Sequence, residues 1–304
     1  MATQRRAWLV VACLASCAGT RPPAAAPATT YRTEIVMLGT GNPMPDPERS
    51  GPSTAVIVDG VAYIFDCGPG VVRRAAAAAL RYKLDGLSPE KLRYLFVTHL
   101  HTDHTLGYAD MIFTPWVTGR SVPLEAYGPP GIAKMTDHLR EAYAEDIAIR
   151  AGAEGDDLAA STVNVHEIVA GPIYADEHVR ITAFAVKHGT WKYAFAYRIE
   201  GPDRTIVITG DYAAPADAII AACAGCDVLV SEGYPAKLAA GPRGPYLQEF
   251  HVSAEQLGGI ATTARAKMVV HTHRRSDVSD EALLAEIRRG YAGRIVMAKD
   301  LDRL

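Results

Sequence analysis

Apolar and polar positions along the 304-residue chain fall into short β-branched runs punctuated by glycine and proline. Thr33 to Leu38, Ser53 to Val58 and Val61 to Phe65 read as consecutive strands, with Asp59-Gly60 as the two-residue turn of a hairpin. A helix follows Gly70 through the alanine run Ala75 to Ala79. Next come a strand over Tyr94 to Val97, a helix near Leu106 to Phe113, a strand at Val122 to Tyr127 and a helix from Ile132 to Tyr143. Ala151 to Ser161 is small and polar, a loop or a lid. The second half repeats this grammar. Strands are expected at Val179 to Val186, Ala194 to Ile199, Thr205 to Thr209, Val228 to Ser231, Met268 to His271 and Arg294 to Met297. Helices are expected at Pro215 to Ala222, Ala254 to Ala264 and Asp280 to Arg288. Two strand-rich halves, each with its helices, predict an α/β fold of two sheets packed face to face with helices outside.

The N-terminus departs from this pattern. Arg5-Arg6 followed by the apolar run Ala7 to Ala15 has the basic and hydrophobic regions of a secretory signal and falls short of the roughly 20 apolar residues that span a bilayer. Residues 1–16 are expected to be a signal peptide. Leu14-Ala15-Ser16-Cys17 is similar to the lipobox of bacterial lipoproteins, which implies cleavage before Cys17 and a lipid on its thiol. A plain signal cut nearby is the alternative. Residues 17–32, mostly Ala, Pro and Thr, read as a flexible tether, leaving 33–304 as one domain. The expected location is the periplasm, with the lipid on Cys17 as the one membrane contact, or outside the cell if Cys17 carries none.

A formal net charge of −3, with Lys and Arg scattered, leaves no basic stripe, so long nucleic acid is not the expected partner. An oligomer stays open. Beyond Cys13 and Cys17, the cysteines are Cys67, Cys223 and Cys226, an odd number that cannot pair completely. Cys223 reads as a helix-face residue and Cys226 as a turn residue, a disulfide between them being the less favoured alternative.

The chemistry concentrates in Thr98-His99-Leu100-His101-Thr102-Asp103-His104, directly after the apolar strand. Imidazole nitrogens and carboxylate oxygens are the usual ligands of zinc and similar ions, and a tight loop at a strand end can aim several at one point. Three of the chain's 10 histidines at this spacing are improbable as a chance cluster. The pattern His-x-His-x-Asp-His resembles the signature of the metallo-β-lactamase superfamily. That resemblance implies an αββα sandwich, a mono- or dinuclear metal centre at the shared edge of the sheets, and hydrolysis.

Further candidates stand at strand ends in the second half: Lys187-His188-Gly189, Thr209-Gly210-Asp211 and His271-Thr272-His273. Carried over from the family, His99, His101 and His188 would hold one divalent ion and Asp103, His104 and His273 the other, with Asp211 bridging and zinc the expected metal. Strand alternation would point His271 and His273 the same way, so periodicity does not separate them. The resemblance selects His273, which follows Thr272 as the family's histidine follows its threonine.

Within the superfamily the chain is most similar to the RNase Z and arylsulfatase branch. Leu38-Gly39-Thr40-Gly41, Phe65-Asp66-Cys67-Gly68, Lys187-His188-Gly189 with Tyr197-Arg198, Cys226 to Glu232 and Phe250-His251-Val252-Ser253 follow that branch in order. Pro45 to Pro52 resembles the arylsulfatase-like members. Only 22 residues separate His188 from Asp211, too few for the tRNA-binding arm of RNase Z, and the export signal also argues against tRNA maturation. Asp211 argues against a β-lactamase proper, which lacks that bridging carboxylate.

The resemblance implies a hydroxide between two ions, oriented by Asp103. It also makes His251, supported by Glu232, the acid that protonates the leaving oxygen; the alternative is that His251 merely caps the helix near Ser253. Asp66 is expected to steady a ligand loop, and Trp116 and Trp191 to line the pocket or the core. The expected activity is an exported dinuclear zinc hydrolase of small sulfate or phosphate esters, of arylsulfatase or phosphodiesterase type. The alternatives are a β-lactam or lactone hydrolase and a non-catalytic metal-binding surface lipoprotein.

Overall fold

Alternate residues of the central strands face different cores, and this assigns the layers. Ile35 and Met37 pack into one cluster while Val36 and Leu38 pack into another; Ile206 and Ile208 share the first cluster while Val207 enters a third. Strands apolar on both faces are therefore buried on both faces, each fully buried aliphatic side chain contributing about 1.5–3 kcal/mol. In this computed structural model the described residues are 32–304, and they belong to one compact unit. The expected signal peptide, the lipidation point Cys17 and the tether up to Tyr31 lie outside the described residues.

The first sheet follows chain order through β1 (Thr33–Gly39), β2 (Ser53–Val58), β3 (Val61–Phe65), β4 (Tyr94–Phe96), β5 (Leu124–Gly128) and β6 (Val163–Glu167). It is antiparallel as far as β3 and parallel from β3 to β6. Asp59 (φ 48°) and Gly60 (φ 86°) make the expected hairpin turn. The second sheet runs β7 (Gly171–Ala175), β8 (Arg180–Ala185), β9 (Phe195–Glu200), β10 (Thr205–Ile208), β11 (Val228–Ser231), β12 (Met268–His271) and β13 (Arg294–Met297). It is antiparallel up to β10 and parallel from there.

The cluster with Phe65, Phe96, Tyr197, Ile208 and Val230 fills the space between the sheets. Helices α1 (Val71–Tyr82), α2 (Thr102–Thr105), α3 (Tyr108–Val117), α4 (Ile132–Ala142) and α5 (Ala144–Ile149) belong to the first half. Helices α6 (Asp217–Cys223), α7 (Gly244–Phe250), α8 (Ala254–Thr263) and α9 (Asp280–Gly290) belong to the second. Residues of α1, α3 and α4 share the first sheet's outer core, and residues of α6, α8 and α9 share the second's. The result is the expected α/β architecture, an αββα sandwich. Among the described residues no helix is long and apolar enough to cross a membrane.

Helices α5 and α7 have no counterpart in the sequence expectation, and three further local features differ from it. Strands β6 and β7 occupy a stretch with no expected element; both are half-exposed, and β7 holds Pro172 beside a register shift, as an edge strand can. The polar stretch before β6 is not plain loop: a helical turn spans Arg150–Glu154 and another Ala159–Ser161. Cys223 and Cys226 are bridged, against the unpaired expectation. Helix α6 ends at Cys223, and Ala224 and Gly225 reverse the chain with φ of 28° and 86°, which returns Cys226 to a Cα separation of 4.8 Å.

Candidate metal centre

Strands β8, β10, β11 and β12 run in one direction, since β8 and β10 both lie antiparallel to β9. Their C-terminal ends therefore share one edge of the sheet, and from that edge project His188, Asp211, Glu232 and His273. Strand β4 delivers the loop of His99 and His101 and the short helix α2 to the same place, Phe195 N–H donating to Thr98 O at 2.9 Å.

Donor atoms gather in three overlapping groups, one of them Asp211, Glu232 and His273, and the other two hold the expected ligands. His99, His101, His188 and Asp211 form one; Asp103, His104 and His273 form the other; within each, the ligand atoms lie within 4.8 Å of one another. In the first, His101 Nδ1 is 2.9 Å from His99 Nε2 and 3.1 Å from His188 Nε2. In the second, His273 Nε2 is 3.2 Å from Asp103 Oδ2, and His104 Nε2 is 3.5 Å from the same oxygen. Asp211 faces both groups: its Oδ1 lies 3.4 Å from His104 Nε2 and its Oδ2 lies 3.9 Å from His99 Nε2.

For His99, His104 and His188 the inward nitrogen is set by a contact on the far side of the ring. His104 Nδ1–H donates to Asp66 Oδ2 at 2.8 Å, and His188 Nδ1–H donates to Phe250 O at 2.6 Å. The Thr98 hydroxyl lies 2.9 Å from Asp66 Oδ2 and 3.0 Å from His99 Nδ1, linking that ring to the same carboxylate. Trp191 Nε1–H donates to His101 Nε2 at 2.7 Å, so Nδ1 carries the proton of the neutral ring, and a cation there requires the indole contact to shift. Trp116, by contrast, is buried with its N–H on Asp157 O.

Close approach demands glycine at two of these turns. Gly210, at φ 57°, would place a Cβ 2.7 Å from that of Thr98, and Gly189, at φ 54°, would drive one into the Phe250 ring.

The residues fit divalent cations. His104 Nε2 is fully buried with no hydrogen-bond partner while facing two carboxylates. Burial pushes His99 well below the ordinary histidine range and His101 down to about 4, which keeps both neutral, the form that binds metal. Burial would raise the Asp211 carboxyl, but His273 and His104 beside it hold it well below the usual range.

Next to these groups, His251 Nδ1 lies 2.8 and 2.9 Å from the two oxygens of Glu232, which also accepts Tyr212 N–H at 3.0 Å. The helix cap that sequence offered as His251's other role belongs to Ser253, whose side chain accepts Gln256 N–H in a complete capping box. His271 does not share the direction of His273: β12 ends at His271, whose Nε2–H donates to Gly233 O at 2.9 Å, and His273 reaches Asp103 from a φ of 57°.

Asp300 was not legible as part of this edge. It accepts Thr40 N–H at 2.9 Å and Ser50 N–H at 2.7 Å, pinning the loop that walls the site.

Residues 62–274 match the family model described as a β-lactamase superfamily domain. Ribonuclease Z of Mycobacterium bovis (strain BCG / Pasteur 1173P2) is 32% identical over 280 residues, covering 89% of this chain and 97% of that protein. Ribonuclease Z of Mycobacterium sp. (strain KMS) is 34% identical over 245 residues, 79% of this chain and 83% of that protein. The short form of human tRNase Z superposes with a TM-score of 0.67 at 21% identity, covering 89% of this chain and 98% of that one.

These relatives correct two expectations. A substrate confined to small sulfate or phosphate esters, with lactams or lactones or a non-catalytic lipoprotein as alternatives, does not stand against nearly full-length similarity to ribonucleases. Nor does the exclusion of long nucleic acid in favour of a small-molecule partner. The short interval from His188 to Asp211 excludes an inserted arm at that point, which is an appendage; it leaves the strand-end chemistry untouched. Net charge of the whole chain likewise says little about one cleft. From its matched domain, its relatives and its convergent His/Asp groups, the chain belongs to the metallo-β-lactamase superfamily, in its RNase Z-like branch, and is a metal-dependent hydrolase.

Proposed function

We infer that this protein is a ribonuclease, hydrolysing phosphodiester bonds of RNA with two divalent ions, zinc by the imidazole-rich character of the donors. The observation that carries the reading is the His251–Glu232 pair beside both donor groups, in a chain similar to Ribonuclease Z over 97% of that relative's length. His99, His101 and His188 would hold one ion and Asp103, His104 and His273 the other, with Asp211 facing both. Bound ions supply hydroxide at neutral pH and neutralise charge that develops on the phosphoryl group.

The protein's own residues do the rest. Asp103, held by His273 at 3.2 Å, orients the nucleophile on the side of the second group. His251 donates a proton to the departing oxygen. Burial alone would lower its pKa, but the Glu232 carboxylate outweighs this and brings it to about 9, so the ring enters the reaction charged at neutral pH. Glu232 stays in place through Tyr212 N–H.

A tRNA transcript incubated with zinc-loaded protein provides the test. Cleavage that stops on chelation and returns with zinc is the expected result; intact RNA under both conditions would overturn the reading.

A further inference from the structure

A cavity of about 270 Å³ opens beside the centre, with His251 and His273 in its wall, while Asp103 lines a separate cavity across the loop Asn42–Met44. The acid must touch the departing oxygen, so the nucleoside attached to that oxygen continues into the space onto which His251 opens. That space is small, below the usual 300–1,000 Å³ of ligand pockets, and suits one flat group rather than a helix of RNA.

Its wall has the chemistry of a base platform. Tyr246 stacks on Phe250 with centroids 4.6 Å apart, and the Arg243 guanidinium carbon sits 4.9 Å from the Tyr246 centroid. Leu247 adds an apolar side. Aromatic rings and guanidinium planes stack bases of unpaired RNA.

We propose that this cavity binds the base of the leaving-side nucleotide, with the Arg243–Tyr246 pair as its stacking platform. The proposal rests on the ribonuclease reading above, and the experiment separates the two.

Short RNAs cleaved at one position are prepared intact, abasic on the leaving side, or abasic on the other side of the cut. The wild type is expected to favour the intact RNA over the leaving-side abasic one by roughly tenfold in kcat/KM, about one stacking contact. Tyr246→Ala should abolish that preference, and Tyr246→Phe, which keeps the ring, should retain it. Tyr246 is 36% exposed, so its truncation opens no core cavity, and unchanged melting temperature and metal content check the fold. Equal losses on intact and leaving-side abasic RNA in Tyr246→Ala, or a preference that resides on the other nucleotide, would overturn the proposal alone. Failure of the wild type to cut any RNA would overturn the ribonuclease reading and the proposal with it.

Discussion

Asp66 holds His104 from behind: the ring donates Nδ1–H to Asp66 Oδ2 at 2.8 Å, while Oδ1 accepts Thr98 N–H at 2.7 Å. One carboxylate thus fixes the start of the His99 loop and the direction of a nitrogen in α2. Asp66 itself adopts φ 59°, a conformation favoured by no bulky residue. Asp66→Asn should weaken zinc binding by roughly 10–100-fold, the usual cost of losing such a partner. Competition with a chromophoric chelator measures it, with circular dichroism to show that the sheets persist.

Asp211 stands between both donor groups, and no neighbouring carboxylate reaches as many of the histidines. Asp211→Ala should cost more affinity than the roughly 10–100-fold of Asp66→Asn, because a facing oxygen is lost rather than a supporting one. Metal content by mass spectrometry after gel filtration is expected to fall from about two ions per chain, and retention of two would contradict the bridging role.

His251 sets a pH dependence with a definite sign. Its pKa is raised to about 9, so the acid form prevails below that value and activity should decline as pH rises through it. Glu232→Gln removes the charge that opposes burial, and the alkaline limb should move down towards the ordinary histidine range. His251→Ala should slow RNA cleavage by about 10²–10⁴-fold but leave a p-nitrophenyl diester, whose leaving group needs no proton, much less affected. Equal losses on both substrates would argue against proton donation.

Asp300 tests whether the wall loop matters for substrate rather than metal. Its carboxylate, bonded to Thr40 and Ser50 and 3.3 Å from Arg74 Nε, is nearly buried. Asp300→Ala should free residues 40–50 and raise KM several-fold at unchanged metal content, since none of the donor groups touches it. A fall in metal content instead would place Asp300 in support of the centre.

What could be read in the sequence was what is local. His99 to His104 announce themselves within six positions, and His188, Asp211 and His273 stand where strands end, so the edge that gathers them follows once strand directions are known. The supports are long-range: Phe250 O meets His188 62 residues away, Trp191 meets His101 90 away, and Asp300 meets Thr40 260 away. No periodicity carries such pairings. Strands β6 and β7 escaped because edge strands need only half a hydrophobic face. The substrate is not legible for another reason: the same donor set serves many esters, so the ligand residues alone do not select among them.

The most direct test is the chemistry of the cut itself. Zinc-loaded protein is incubated with a tRNA transcript in ¹⁸O-water, and the new ends are analysed by mass spectrometry. Attack by water predicts one ¹⁸O in a terminal monophosphate, no 2′,3′-cyclic phosphate, and loss of both products in Asp211→Ala. A cyclic phosphate, or no cleavage with metal bound, would contradict the account.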